Sequence, residues 1–298
     1  MIMIDRCCIS LNNNCNLRCK YCHFQDKQKD FSFFQTQQVL KILDNIHFYC
    51  KDRDINLFKL GIVGSGEPML KKEVIFSMLE WVTIKKYTEI KMYCITNGTL
   101  LKKNDIKKFY QYNDIIDICF SLDGYEEIHN YGRAKYVEVM KSIEMYKDVF
   151  NRTPSINATV NALSIKNQER LIMFFKENKL FNITFSKLVG YKDADLHISD
   201  MDFSEFMRYV EASGLICRQF KNNKKYDCTM YGRLCGVGRT NVFITPEGIY
   251  PCGRFYKDDR FLLGKYNDDL FEIEKKLSEL VPVEDGKCYY SQNVEGYV

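Results

Sequence analysis

The sequence predicts an α/β fold built on a parallel β-sheet. Between residue 7 and about residue 186, short β-rich runs alternate six times with helical patterns. Polar or glycine-containing motifs follow several of these runs, and the alternation stops after about Leu188. Such alternation is typical of βα units, in which ligands gather at the carboxyl ends of the parallel strands. We therefore expect the functional site at that edge of the sheet.

The individual elements follow from hydrophobic periodicity. The six strands are predicted over Cys7 to Leu11, Leu57 to Val63, Lys91 to Thr96, Asp117 to Ser121, Ile156 to Val160 and Ile183 to Ser186. The helices between them are predicted over Thr36 to Cys50, Lys72 to Lys86, Lys102 to Tyr112, Ala134 to Phe150 and Lys166 to Asn178. The second helix carries an apolar stripe that packs on a sheet, formed by Val74, Ile75, Met78, Leu79 and Val82.

Composition narrows the class of protein. The chain has 298 residues, of which 46% are hydrophobic and 28% charged, so it can bury a large core as one domain or as one domain with an appendage. No apolar run reaches the roughly 18 residues that a membrane helix needs, and the amino terminus lacks the features of a signal peptide. The net charge of +4 comes from interspersed charges and is not a strongly basic nucleic-acid footprint. We expect a cytoplasmic protein without a nucleic-acid or membrane partner.

Three thiols directly follow the first predicted strand. Cys15, Cys19 and Cys22 have the spacing CxxxCxxC, and 13 cysteines in a cytoplasmic chain indicate metal or redox use. A [4Fe-4S] cluster is normally held by four thiolates, so a triplet leaves one iron open to another ligand. A structural zinc site requires a closed set of four, and Cys50, the next thiol, falls in a helical pattern. Three buried structural cysteines fit poorly among the neighbouring asparagines.

The next motif is a turn after the second strand, Gly64-Ser65-Gly66-Glu67-Pro68. Its two glycines allow the backbone to approach a ligand closely, and Pro68 fixes the direction in which the chain leaves. Taken alone, this motif is also compatible with an ordinary turn.

Further polar residues follow the third and fourth strands. Asn97 and Gly98 form a pair that favours a turn. Ser121 and Asp123 end the fourth strand with oxygens that could receive hydroxyl groups. Arg133, at the start of the next predicted helix, could pair with a carboxylate or lie on the solvated surface. His129 is expected to order this loop and not to move a proton.

Together these motifs resemble those of the radical S-adenosylmethionine (radical SAM) enzymes, and they occur in the family's order. The resemblance implies a partial (β/α)6 TIM-like barrel and a [4Fe-4S] cluster bound by Cys15, Cys19 and Cys22. In the family the open iron binds SAM, whose reductive cleavage yields a 5'-deoxyadenosyl radical that abstracts a hydrogen atom. An external one-electron reductant of the flavodoxin or ferredoxin type is implied as well.

The resemblance also implies a set of SAM-binding residues. By their positions in the motifs they are Tyr21, Gly64, Ser65, Gly66, Glu67, Asn97, Ser121, Asp123 and Arg133. The family's usual GGEP has a glycine where this chain has Ser65, which is a mild departure. Glu67 is expected to hold the SAM amino group and Arg133 the methionine carboxylate.

The carboxyl-terminal third has a different pattern. A loop from Val189 to Asp202 leads to a helix predicted over Phe203 to Phe220, and a strand, Pro-Glu-Gly turn and strand lie between Cys235 and Cys252. A further helix is predicted over Asp268 to Leu280, before Cys288. This segment resembles the SPASM or twitch extension of radical SAM enzymes. The predicted domains are a barrel over residues 1–190, a linker and bridging helix over 191–225, and an auxiliary iron-sulfur domain over 226–298.

The resemblance implies an auxiliary [4Fe-4S] cluster held by Cys235, Cys252 and Cys288. Five cysteines follow the barrel, too few for two further clusters. The twitch arrangement would place a fourth ligand at position 291, which is serine. Either Cys228 completes the set or one iron stays open to a substrate thiolate, amide or water, and structural zinc is the alternative metal.

The family resemblance favours modification of a ribosomally made peptide, by a thioether or carbon–carbon crosslink or by epimerisation. For epimerisation, Cys217 or Cys228 is a candidate hydrogen-atom donor by location alone. Because only 14 residues precede Cys15, we do not expect a leader-binding domain before it. Recognition is then expected at the barrel mouth, at the loop near Val189, or through a separate leader-peptide-binding protein.

Three other functions compete with this hypothesis. A twitch-type dehydrogenase of a small molecule would share the layout, and formylglycine formation on sulfatases ranks lower because those maturases resemble two-cluster modules. A non-enzymatic iron-sulfur electron carrier or zinc-stabilised scaffold would explain the thiols. It would not explain the ordered motifs at successive strand ends, although fold analogy alone does not establish function.

Overall fold

A computed structural model describes residues 3–24, 31–188, 195–217, 236–280 and 289–290. Its strands form one sheet. They are β1 (Arg6–Ile9), β2 (Phe58–Ile62), β3 (Ile90–Thr96), β4 (Ile116–Ser121), β5 (Ser155–Val160), β6 (Ile183–Lys187), β7 (Asn241–Thr245) and β8 (Gly248–Tyr250). The strand order is β6-β5-β4-β3-β2-β1-β7-β8, with every neighbouring pair parallel except the antiparallel hairpin β7–β8. The six predicted strands are therefore present, in the sequential order of a partial (β/α)6 barrel.

Helices connect these strands. They are α1 (Thr36–Asp52), α2 (Lys72–Lys85), α3 (Lys103–Tyr110), α4 (Glu126–Gly132), α5 (Tyr136–Phe150), α6 (Ala162–Lys166), α7 (Gln168–Glu177), α8 (Asp200–Ala212) and α9 (Leu270–Glu279). The predicted stripe of α2 is buried along its whole length. In the described residues, no helix is both long enough and apolar enough to cross a membrane.

Three predicted helices differ from the structure. The segment before α5 contains the additional helix α4, and Ala134 and Lys135 separate the two because both have positive φ, at 81° and 67°. Arg133 therefore ends α4 and does not open the next helix. The helix predicted from Lys166 to Asn178 is α7, which begins at Gln168, and the unpredicted short helix α6 precedes it. The two are separate because the backbone leaves helical geometry at Asn167 (φ −118°, ψ 28°).

The third difference concerns the helix predicted to begin at Phe203. Helix α8 starts at Asp200 because the Ser199 side chain caps it by accepting a hydrogen bond from the backbone N–H of Asp202. It ends at Ala212, and Gly214 follows with a φ of 74°. The chain then pairs Cys217 with Ile183 of β6, so this segment is extended where a helix was predicted.

The carboxyl-terminal hairpin continues the barrel sheet. Strand β7 pairs with every residue of β1, from Arg6 with Asn241 to Ile9 with Ile244. Its buried residues Val242 and Ile244 belong to the same hydrophobic core as the barrel. Helix α9 is joined to α1 through Glu274, which accepts hydrogen bonds from the Tyr49 hydroxyl and from the Arg53 guanidinium at 3.0 Å. The described part of the predicted auxiliary domain therefore shares both the sheet and the core of the barrel.

Candidate active site

A cavity of about 300 Å³ lies at the carboxyl ends of the six barrel strands. Strands β3 to β6 contribute residues to its wall, and the segments that follow β1 and β2 contribute others, so the site lies where the sequence predicts it. The predicted residues in the wall are Cys15, Cys19, Tyr21, Cys22, Gly64, Ser65, Gly66, Glu67, Asn97, Ser121 and Arg133. Residues that the sequence analysis missed also line it, among them Asn157, Thr159, Ser186, Lys187, Leu188 and Arg254.

The three thiols are half-buried beside this cavity. Burial raises the pKa of Cys15, and it raises the pKa of Cys19 to about 11. In the described part of the chain, no three His, Cys, Asp or Glu side chains converge on a single ion. The thiols instead border a shared volume, and this arrangement fits an iron-sulfur cluster, whose thiolates bind different irons.

The Gly64–Pro68 turn packs tightly on the segment that leads to Cys15. A Cβ atom at Gly66 would lie 2.4 Å from the backbone oxygen of Asn14 and 2.5 Å from that of Asn12. The backbone N–H of Glu67 also donates to the Asn14 oxygen, at 2.8 Å. Only glycine allows this approach without moving backbone, so the turn fixes the path of the cysteine loop.

Ser65 has a specific role where the resembling motif carries glycine. Its hydroxyl lies 3.0 Å from the Ser10 hydroxyl, and its backbone N–H donates to the same Ser10 oxygen at 3.0 Å. The serine at position 65, where the family pattern has glycine, thus adds a contact between the turn and the segment that follows β1.

Glu67 is buried, and its carboxylate holds the next turn. It accepts hydrogen bonds from the Thr96 hydroxyl at 2.6 Å and from the backbone N–H groups of Asn97 and Met69, both at 2.9 Å. Burial raises the pKa of this carboxyl group. A carboxylate has about four acceptor positions, so three donors leave about one for an ammonium group in the cavity.

Asn97 lies in a turn and also beside the thiols. Its side-chain oxygen accepts from the backbone N–H of Thr99 at 3.0 Å, which is the turn geometry that the sequence suggested. Its amide nitrogen donates to the Asn16 side chain at 2.9 Å and lies 4.0 Å from the sulfur of Cys15. The structural and site interpretations of Asn97 are therefore compatible.

Arg133 is held by a buried carboxylate. Its Nε donates to both oxygens of Asp123 at 3.0 Å, and its Nη2 donates to the Thr159 hydroxyl at 3.1 Å. The side chain is 14% exposed and lines the cavity, so the solvated-surface alternative is wrong. The guanidinium has five N–H groups, and those not engaged here remain for a carboxylate in the cavity.

The carboxylate of Asp123 does not face the cavity, although the sequence analysis expected it to be available to ligand hydroxyl groups. Its oxygens accept hydrogen bonds from Arg133, from the Tyr21 hydroxyl and from the backbone N–H of Thr159, and it is absent from the cavity wall. It therefore orients Arg133 and Tyr21, and its oxygens do not face a ribose. Ser121 alone of this strand-end pair lines the cavity.

His129 is fully buried behind this group. Its Nδ1 accepts from the Asp123 backbone N–H at 3.4 Å, and its Nε2 lies 3.1 Å from the Ala134 carbonyl oxygen. Burial lowers the pKa of the ring, which favours the neutral form. These contacts agree with the expectation that His129 orders the loop.

Cys217 lies far from the cavity. It pairs with Ile183 at the start of β6, whereas the cavity is bordered by Ser186 to Leu188 at the end of that strand. At roughly 3.3 Å per residue, this separation is on the order of 10 Å. Cys217 is also fully buried, so the hypothesis that it donates a hydrogen atom at the site is wrong.

The predicted auxiliary residues are only partly visible. Cys228, Cys235 and Cys288 lie outside the described residues. Cys252 is half-buried against an aromatic group that we call the hairpin core, made of Phe24, Val237, Phe243, Tyr250, Phe255, Tyr256 and Tyr289. Two further thiols, Cys8 and Cys22, pack on the hairpin core as well.

Some of the missed cavity residues had a sequence signal. Asn157 and Thr159 alternate with apolar residues on the fifth strand, and this period of two places them on one face. Arg254 had none, because its place in the wall depends on how the hairpin docks on β1.

Comparisons with known proteins agree with this geometry. The family model of the Radical SAM superfamily matches residues 9–171. The subtilosin biosynthesis protein AlbA of Bacillus subtilis is 23% identical over 273 residues, covering 88% of this chain and 57% of AlbA. A cysteine-type anaerobic sulfatase-maturating enzyme of Clostridium novyi is 25% identical over 302 residues, covering 87% of this chain and 76% of that enzyme.

A solved structure has the same fold. The structure of anSMEcpe with bound AdoMet and Cp18Cys peptide superposes with a TM-score of 0.74 at 19% identity, covering 93% of this chain and 82% of that chain. The chain thus spans only 57% of AlbA but most of this structural relative. The family model covers more than half of the chain and includes the thiols, the Gly64–Pro68 turn and Arg133. The protein is therefore an enzyme of the Radical SAM superfamily.

Proposed function

We propose that this Radical SAM enzyme modifies a ribosomally made peptide. It would abstract a hydrogen atom from the peptide, and the resulting peptide radical would form a thioether or carbon–carbon crosslink or give an epimerised residue. The proposal is supported by two similar proteins: AlbA is a subtilosin biosynthesis protein, and anSMEcpe has been solved with a bound Cp18Cys peptide. The single observation that carries it is the cavity in which three thiols, a carboxylate and a guanidinium meet at the strand ends.

In this family a [4Fe-4S] cluster and SAM supply the radical that abstracts hydrogen. The residues present fit these groups. Cys15, Cys19 and Cys22 would hold the cluster, the free acceptor position of Glu67 would bind the SAM ammonium group, and Arg133 would bind the methionine carboxylate. The Gly64–Gly66 backbone, Asn97 and Ser121 would complete the SAM pocket, with Tyr21 and Asp123 orienting Arg133.

The carboxyl-terminal segment would hold one auxiliary [4Fe-4S] cluster through Cys235, Cys252 and Cys288. An external flavodoxin or ferredoxin would supply electrons. The peptide would enter at the barrel mouth, and a separate leader-peptide-binding protein would be one route to its recognition. The functional division of the chain would then be a barrel over 1–190, a bridge over 191–225 and an auxiliary-cluster segment over 226–298.

A second candidate is maturation of a sulfatase-type protein. It is favoured by the match to the Clostridium novyi maturating enzyme, which extends over 87% of this chain and so includes residues beyond the barrel. The two candidates share the cavity and differ in the size of the substrate.

The first experiment tests the radical chemistry. The protein is reconstituted anaerobically with iron and sulfide, mixed with SAM and dithionite, and assayed for 5'-deoxyadenosine by chromatography. A variant with Cys15, Cys19 and Cys22 all replaced by alanine is the control and should form none. If the reconstituted wild-type enzyme forms no 5'-deoxyadenosine, an electron carrier becomes the better interpretation.

The second experiment tests the substrate. Peptides encoded by small open reading frames beside the gene are incubated with the reconstituted enzyme, SAM and dithionite in H2O and in D2O. The products are returned to H2O, and their masses are measured by mass spectrometry. A crosslink removes two hydrogen atoms, and epimerisation in D2O introduces one deuterium. An unchanged mass in both media, with modification of a sulfatase-derived peptide in the same assay, would favour the second candidate.

A further inference from the structure

The turn of the carboxyl-terminal hairpin carries a carboxylate that reaches the barrel. Glu247 lies between β7 and β8, in the Pro-Glu-Gly turn that the sequence analysis singled out. Its Oε1 accepts one hydrogen bond from the Ser32 hydroxyl and one from the Tyr256 hydroxyl, both at 2.6 Å. Hydrogen bonds this short are typical of an ionised carboxylate. Glu247 thus joins the hairpin to the segment that follows the cysteine loop.

The turn gives Glu247 a fixed base. The Thr245 side chain is fully buried, and its hydroxyl bonds to both backbone groups of Gly248, the carbonyl oxygen at 3.1 Å and the N–H at 3.2 Å. A Cβ atom at Gly248 would lie 2.7 Å from the carbonyl oxygen of Gly264, so the backbone on the far side of the turn is close-packed as well. Tyr256, which donates to Glu247, is fully buried in the hairpin core. The carboxylate is therefore held from the hairpin side.

Ser32 connects this carboxylate to the residues before Cys15. The Ser32 carbonyl oxygen accepts from the backbone N–H of Asn13 at 3.1 Å, and the Ser32 backbone N–H donates to the Asn13 side-chain oxygen at 2.9 Å. Asn13 is only 2% exposed and lies two residues before Cys15. The neighbouring residues Asn12 and Phe33 form an antiparallel bridge. Because Ser32 and Asn13 exchange hydrogen bonds in both directions, a shift of Ser32 displaces Asn13.

The same segment contacts the backbone of Glu67. The Asn12 side-chain amide donates to the Glu67 carbonyl oxygen at 3.1 Å, and the Asn14 carbonyl oxygen accepts from the Glu67 N–H at 2.8 Å. The Asn14 N–H in turn donates to the Asn12 side-chain oxygen at 2.9 Å. Residues 12–14 therefore lie between Ser32 and Glu67 and bond to both. A continuous chain of hydrogen bonds runs from Glu247 to the residue expected to bind the SAM ammonium group.

We propose that Glu247 is a positioning residue for SAM cleavage. Through Ser32 it fixes residues 12–14, and with them the placement of the cysteine loop relative to Glu67. In the family SAM binds the open iron, so the cluster and the group that holds the SAM ammonium must keep a set separation, and small misplacements of reacting groups are costly. The inference rests on the proposed SAM-binding role of Glu67 and is independent of the auxiliary cluster and of the peptide substrate.

The test measures SAM binding in the reconstituted enzyme. The KM for SAM is determined from 5'-deoxyadenosine formation with dithionite, and the change that SAM causes in the electron paramagnetic resonance spectrum of the reduced protein is recorded. Glu247→Ala should raise the KM for SAM about fivefold, which corresponds to the net contribution of about one hydrogen bond, and should reduce the spectral change. Glu247→Gln still offers an oxygen acceptor and should stay within about twofold of wild type.

Further variants test the path and provide controls. Ser32→Ala should raise the KM for SAM by about the same factor as Glu247→Ala, and combining the two should raise it no further, because both remove one link. Glu279→Ala, at an exposed carboxylate that ends α9, should leave the KM and the spectrum unchanged. Glu67→Gln tests the proposed SAM site directly and should raise the KM for SAM more than the other variants. Thermal unfolding by circular dichroism checks that each protein folds.

The outcomes separate this inference from the proposed SAM site. If Glu67→Gln raises the KM but Ser32→Ala and Glu247→Ala do not, Glu247 has no positioning role and the SAM site stands. If the two single changes multiply in the double variant, or if Glu247→Gln is as impaired as Glu247→Ala, the path through Ser32 is wrong. An unchanged KM in Glu67→Gln overturns the SAM site together with this inference. If Glu247→Ala does not fold, Ser32→Ala decides.

Discussion

The two thiol regions of the molecule are built in opposite ways. Beside Cys15, Cys19 and Cys22 the wall carries carboxylates, hydroxyls and backbone groups that are tied to one another by hydrogen bonds, and we call this the polar region. Around Cys252 the wall is aromatic, and Phe24, Phe243 and Tyr256 pack ring against ring. The first region has the groups to hold and orient a charged ligand. The second is suited to exclude water from a metal site, because an apolar shell controls solvent access.

The sharpest test of this comparison removes one thiol from each region. Cys19→Ala should reduce 5'-deoxyadenosine formation to the background without enzyme, because the first cluster cannot assemble. Cys252→Ala should lower the total iron but keep SAM cleavage within about tenfold of wild type, which is a change of about 1.4 kcal/mol in the activation barrier. Iron analysis and the product assay are run on the same samples. Equal loss of SAM cleavage in both variants would show that the regions are not separable.

The next test breaks the buried ion pair of the polar region. Asp123→Asn leaves Arg133 without its counter-charge, which should lower the free energy of unfolding by about 3 kcal/mol and weaken SAM binding. Urea unfolding and equilibrium dialysis with SAM measure the two effects. Glu127→Gln is the matched control, because its ion pair with Arg170 is exposed and screened by solvent and should contribute little to stability. Similar losses in the two variants would contradict a special role for Asp123.

Substitution of one glycine in each region tests how tightly the two regions are packed. In Gly66→Ala the new methyl group would meet backbone oxygens at 2.4 and 2.5 Å. This should cost about 1–3 kcal/mol and reduce the iron held by the first site. In Gly253→Ala the nearest atoms are side-chain carbons at 3.4 Å, an ordinary contact, so stability and SAM cleavage should hardly change. Thermal unfolding and iron content are measured for both, and a greater loss in Gly253→Ala would reverse the comparison.

The smallest expected effect concerns the serine that departs from the family motif. Ser65→Ala removes the hydroxyl contact with Ser10 and should cost about 1 kcal/mol, the usual net contribution of one hydrogen bond. Ser77→Ala, at a half-buried helix position whose hydroxyl bonds only to the Glu73 carbonyl of its own helix, should change stability by less than about 0.5 kcal/mol. Denaturant unfolding distinguishes them. An unchanged midpoint for Ser65→Ala would mean that the contact with Ser10 contributes nothing to the turn.

The polar region could be predicted from sequence because its signals are local. The periodicity of the strands predicted where each strand ends, and each motif lies a few residues beyond one of these ends. The residues of the cavity wall could therefore be predicted from their positions in the sequence. The prediction failed where tertiary contacts decide. Helix α4 ends where Ala134 and Lys135 adopt the left-handed backbone conformation. Because the sequence did not predict this helix, it did not predict the ion pair between Asp123 and Arg133.

The aromatic region was harder to predict because its arrangement is non-local. The hairpin was expected from two strands around a Pro-Glu-Gly turn, but no local pattern shows that β7 pairs with β1. For the same reason Cys217 was misplaced, since only its bridge to Ile183 shows which end of β6 it occupies.

The pairing of β7 with β1 also has a consequence for the behaviour of a shortened chain. All four residues of β1 are covered by β7 on one side and by β2 on the other. Cutting the protein after the sixth βα unit would uncover a row of unsatisfied backbone donors and acceptors beside the cysteine loop. Uncovered strands of this kind associate with one another. The truncated barrel would therefore tend to aggregate before its chemistry could be assayed.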